Sequence, residues 1–121
     1  MWKGYDNMKF CEPIKFQEVL RNIKENLDEG VSYCIYSKIS DCSELDLDTI
    51  CYIDDYPEIT DDDDEIYSEF VVNNSLNIIF REELVQDVVR NVLHQKALAT
   101  DGELIKAISY YSKKDSFMNF I

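Results

Sequence analysis

Carboxylates are the side chains best placed to do chemistry in this sequence, and they are crowded into one stretch. Residues 41–69 hold 13 acids (Asp41, Glu44, Asp46, Asp48, Asp54, Asp55, Glu58, Asp61, Asp62, Asp63, Asp64, Glu65 and Glu69) and no Lys or Arg. The other 12 acids of the chain are matched by its 12 bases, so the net charge of -13 belongs to that stretch alone. Its densest part, Asp54, Asp55, Glu58 and Asp61 to Glu65, is interleaved with Tyr52, Tyr56 and Tyr67. Adjacent carboxylates repel by about 1 kcal/mol per close pair even in water. That is a standing destabilisation which solubility alone does not require. Rings set among charges are what protein interfaces use: the aromatic area is desolvated while the charges speed encounter and fix register. The expected partner is therefore a basic protein, bound through these acids with the three tyrosines as anchors. Enzymes that act on nucleic acid are the commonest basic proteins, because they hold phosphates. The same charge excludes nucleic acid itself and anionic membrane as direct partners.

Other chemistries find less support. Calcium is the second use for the acids, as an acidic regulatory or cation-binding module, but a twelve-residue EF-hand loop needs oxygen ligands at its first, third, fifth and last positions and glycine at the sixth. A loop starting at Asp54 puts Tyr56 third and Ile59 sixth, and one starting at Asp61 ends on Val72. Paired carboxylates become an acid and a base only through burial or close pairing, which a run of exposed aspartates does not provide. The single histidine, His94, falls on the polar side of a helix with Asp87, Arg90 and Asn91. Three isolated glycines, Gly4, Gly30 and Gly102, cannot build a phosphate loop. Cys11, Cys34, Cys42 and Cys51 are 23, 8 and 9 positions apart, which is not the spacing of a zinc knuckle. They are expected as free thiols in or near the core. No catalytic residue, cofactor or metal centre is expected.

The elements that must position the acids follow from periodicity. With 121 residues, 45% hydrophobic and only 3 Gly and 2 Pro, the chain expects one domain with a real core. Phe16, Val19, Leu20, Ile23 and Leu27 form the apolar stripe of an amphipathic helix, with Pro13 near its start and Gly30 at its close. Strands are expected at 31–39 and 49–53, and further ones at 69–72 and 76–80, with Asn73-Asn74-Ser75 as the turn between those two. A second helix spans 81–96 on Leu84, Val85, Val88, Val89, Val92 and Leu93. A third opens at the capping box Thr100-Asp101-Gly102-Glu103, and an apolar tail from Asp115 packs back. This order predicts an α+β domain, a small and mostly antiparallel sheet packed by about three amphipathic helices. No run of about 18 apolar residues is present. The N-terminus lacks the apolar segment of a signal peptide, so a cytoplasmic protein is expected. Met8 offers an alternative start, which would make the first seven residues a dispensable extension, and residues 1–8 are expected to be loose.

Val85-Gln86-Asp87-Val88-Val89-Arg90-Asn91, followed by Ala107-Ile108-Ser109-Tyr110-Tyr111-Ser112-Lys113-Lys114-Asp115-Ser116-Phe117, resembles a family of short bacterial domains that includes immunity proteins of contact-dependent growth inhibition systems. Such proteins bind and block the C-terminal toxin domain delivered by a neighbouring cell. The resemblance implies a cytoplasmic antitoxin for a basic toxin domain, and the charge argument makes that toxin a nuclease, covered at its active site or substrate-binding surface. The contact residues named above come from charge, not from the family.

Overall fold

A computed structural model describes residues 9–25, 27 and 33–119. The expectations placed on residues 1–8, on Gly30, and on the first two residues of the 31–39 strand lie outside the described residues. In chain order the elements are β1 (Ile14–Lys15), α1 (Phe16–Glu25), β2 (Cys34–Ser37), a 3-10 turn (Cys42–Glu44), β3 (Ile50–Asp54), β4 (Glu58–Ile59), β5 (Glu65–Ile66), α2 (Glu69–Asn73), β6 (Asn77–Arg81), α3 (Glu82–Gln95) and α4 (Asp101–Lys114). The fold is α+β. Four strands form an antiparallel sheet in the order β1-β3-β2-β6, and β4 and β5 pair separately as a hairpin.

Three helices cover one face of the sheet. Phe16, Val19, Leu20 and Ile23 of α1, Val85, Val88, Val89 and Val92 of α3, and Leu104, Ala107 and Ile108 of α4 are buried there. They pack with Ile35, Cys51, Ile53 and Phe80 from the strands. The capping box that opens α4 is present: Thr100 Oγ1 accepts from the Glu103 N–H at 3.1 Å, and Glu103 Oε1 accepts from the Thr100 N–H at 2.9 Å. The tail returns as expected, with Phe117 against Tyr111 at 5.1 Å between ring centroids and Gln95 Nε2 donating to the Met118 carbonyl. Among the described residues no helix is long and apolar enough to cross a membrane.

Side chains alternate along a strand, so Cys34, Tyr36 and Tyr52 point away from those helices. They join Val71, Leu76, Phe70 and Ile78 in a second cluster on the opposite face. A register shift between Ile35 and Tyr36 skips one residue of β6, which lets Ile79 and Phe80 both pack on the helix side while Ile78 joins the second cluster.

One expected strand is a helix. Phe70, Val71 and Val72 are the aromatic and β-branched residues of a strand, yet with Glu69 they form α2 because Ser68 caps them: its Oγ accepts from the Val71 N–H at 3.3 Å. At the other end Asn74 Nδ2 donates to the Phe70 carbonyl at 2.8 Å, and Ser75 takes φ 53°. The Asn73-Asn74-Ser75 turn therefore joins a helix to a strand, not two strands.

Candidate functional site

The acidic stretch leaves the sheet at the end of β3 and returns through α2, and between them it folds as the β4–β5 hairpin. Glu58 stands opposite Ile66, and Ile59 opposite Glu65. The aspartate run, which by sequence is a loop, is the ordered tip of this hairpin. The Asp63 N–H donates to the Thr60 carbonyl at 2.9 Å, the Thr60 N–H to the Asp64 carbonyl at 2.9 Å, and the Asp64 N–H to Thr60 Oγ1 at 3.1 Å. Asp63 sits at φ 64°. This is a tight turn followed by a left-handed residue, a position that Asp and Asn tolerate better than most side chains. Glu58, Asp61, Asp62, Asp63, Asp64 and Glu65 are all exposed. Among the described residues, none of them lies within ion-pair distance of a base. The ion pairs present join Lys15 to Asp48, Arg21 to Asp101, Arg90 to Asp87 and Lys96 to Glu103, away from the hairpin.

Side chains of the second cluster hold the hairpin at both ends. Tyr36 is buried and donates its hydroxyl to the Asp55 carbonyl at 2.8 Å. Tyr56 donates to Glu83 Oε1 at 2.8 Å while the Arg81 guanidinium stacks over its ring, 5.2 Å from the centroid. Tyr67 sets its ring edge-on to Tyr36 at 6.1 Å and donates to Glu65 Oε1 at 3.2 Å. Tyr52 packs against Phe70 at 5.5 Å. Burial raises the pKa of Tyr36 and Tyr56, and the carboxylate that accepts from Tyr56 raises it further. Both hydroxyls therefore stay protonated donors. Tyr52, Tyr56 and Tyr67 are half-buried, and the hydroxyls of Tyr56 and Tyr67 are already engaged within the chain.

Asp54, expected among the presented charges, is only 5% exposed. It closes the loop instead. Ser68 Oγ donates to its Oδ2 at 2.5 Å and the Asp55 N–H to its Oδ1 at 2.8 Å. A carboxylate is affordable there because two donors replace its water. Asp55 remains exposed. The structure thus gathers Asp55, Glu58 and Asp61 to Glu65 on one projection and assigns Asp54 to its mount.

Arg81, Glu83, Tyr36 and Ser68 complete the mount, and sequence reasoning did not include them in the site. Ser68 had a legible signal as a helix cap. Arg81 and Glu83 had none, since a distant strand brings them to Tyr56. Elsewhere, His94 is exposed, and Cys34 and Cys51 are buried free thiols, that of Cys51 pushed up to about 12 by burial. Among the described residues no group of three or more His, Cys, Asp or Glu is placed to hold a metal.

A family model described as a domain of unknown function (DUF7716) matches residues 13–120. No curated protein and no solved structure matches the chain.

Proposed function

The chain belongs to the DUF7716 family of domains of unknown function, and from its own charge and shape we propose that it is a non-catalytic inhibitor of a basic protein. In this reading it is the cytoplasmic antitoxin of a nuclease-type toxin domain. The observation that carries the reading is the hairpin itself, an ordered projection whose exposed carboxylates, Glu58 and Asp61 to Glu65, have no base within ion-pair distance among the described residues. A surface that holds phosphates is cationic and desolvates on contact, and a run of carboxylates set against it displaces the polyanion it was built for. Asp55 adds charge at the base of the projection, while Tyr52, Tyr56 and Tyr67 aim it. The resemblance of 85–91 and 107–117 to a family of short bacterial domains that includes immunity proteins is in keeping with this reading.

The experiment begins with the open reading frame immediately upstream, expressed with and without this chain. The reading expects a protein ending in a short basic domain that kills cells alone and is harmless in company. An unrelated metabolic enzyme, or killing that this chain does not relieve, overturns it. Changing Asp61, Asp62 and Asp64 into lysine, and Asp63 with its positive φ into asparagine, should leave the melting curve cooperative, slow association with that domain by about tenfold or more, and remove its dependence on ionic strength. Full protection by the reversed variant would show that the hairpin is not the recognition element.

A further inference from the structure

We propose that the hairpin enters a cleft of its partner as a finger gripped on both faces, with Ile59 and Ile66 as its anchors. This rests on the reading of the acidic projection as the binding element and concerns how that element is held. Residues directly opposite in an antiparallel pair project from the same face. Glu58 and Ile66 therefore share one face of the hairpin, and Ile59 and Glu65 share the other. Ile59 is 57% exposed and Ile66 53%, so neither face lies on the domain's own core. Each face carries the same pair, one β-branched apolar side chain beside one carboxylate, and the aspartate tip lies between them.

That symmetry decides the occupant. A second copy of this chain would set Glu58, Asp61 to Asp64 and Glu65 against their own like charges, so self-association is opposed where it would have to occur. A flat basic surface would cover one isoleucine and leave the other in water. A cleft with cationic and apolar walls covers both, neutralises the glutamates beside them and receives the tip at its floor. The tyrosines fit this division of labour. Their rings lie in the second cluster, and the hydroxyls of Tyr56 and Tyr67 donate to Glu83 and Glu65. They stiffen the root of the finger and leave the contact to its two isoleucines.

Two synthetic probes test this: a heptapeptide alternating lysine and leucine, and its lysine–glycine counterpart of equal charge. Calorimetry gives affinity and stoichiometry on the full chain, and isoleucine methyl NMR gives location. The leucine peptide should bind one copy to each face, about tenfold tighter than the glycine peptide, and should shift the methyls of both Ile59 and Ile66. Ile59→Ser and Ile66→Ser should each remove one bound leucine peptide and leave glycine-peptide binding unchanged. Equal affinity for the two peptides, or a Ser variant that changes nothing, overturns the two-faced grip while the acidic reading stands. If neither peptide binds, or if binding is unmoved when Asp61, Asp62 and Asp64 become lysine and Asp63 asparagine, the acidic reading itself falls.

Discussion

Ile35 stands opposite Ile53 in the central strands, and one residue along Tyr36 stands opposite Tyr52. The first pair faces three helices and the second faces a short helix and the root of the acidic hairpin. The helix face is mostly aliphatic, with Phe16, Tyr33 and Phe80 among its buried residues, and is held by shape and buried area, which are indifferent to direction. The hairpin face is aromatic, and its hydroxyls end on a carbonyl and two carboxylates, which fix direction. Stability and aim are thus assigned to opposite sides of one sheet, and the period of two along the strands is what separates them.

The strongest way to break that comparison is to hollow the helix face. Ile53→Ala should cost about 2–5 kcal/mol in urea unfolding and leave the partner affinity of the folded protein unchanged. A loss of affinity comparable to the loss of stability would mean that the two faces are not separable. Ser68→Ala strikes the other side. It removes the donor to buried Asp54 and the cap of α2 together, with an expected cost of about 1–3 kcal/mol. Amide exchange should speed up in α2 and the hairpin before it does in α3, and uniform acceleration would contradict a locally built mount.

The smallest effect sharpens the comparison by setting two buried carboxylates side by side. Asp54 has two donors, whereas Glu82, at the start of α3, is 5% exposed with the Gln86 amide donating to it at 2.9 Å. Burial raises the pKa of Glu82, with the Gln86 hydrogen bond opposing. A carboxyl raised on folding favours its protonated form. Its ionised form therefore destabilises the protein above the folded pKa, and the penalty disappears as pH falls below the unfolded value of about 4.3. Glu82→Gln should accordingly raise Tm slightly at neutral pH, with the gain vanishing near about pH 4. An unchanged difference across that range would show that Glu82 is not strained by burial.

Periodicity made the helix face legible. The stripes of α1, α3 and α4 are local patterns, and the Thr100 capping box is a local exchange of hydrogen bonds. The acidic face was legible as charge but not as shape. Residues 69–72 have the side chains of a strand, and only the Ser68 hydroxyl, satisfying a helix terminus, tips them the other way. The inward turn of Asp54 depends on Ser68, 14 positions on. The Tyr56 partners, Arg81 and Glu83, arrive through β6, whose pairing with β2 closes a long loop that no local pattern records. Ile59 and Ile66 flank the aspartates symmetrically, a hairpin pattern that was present in the sequence and hidden by the conspicuous charge between them.

The left-handed backbone at Asp63 has a consequence for how this surface changes over time. The turn needs a residue at ease with positive φ at that one position, and Gly or Asn would serve it as well. Asp61 and Asp62 bear no comparable backbone demand, so their side chains can be exchanged without rebuilding the turn. The protein therefore carries a tip that can be rewritten on a mount that stays fixed. On the proposed reading, a lineage pursuing a drifting partner would be able to alter what the finger touches while inheriting, unchanged, the way it points.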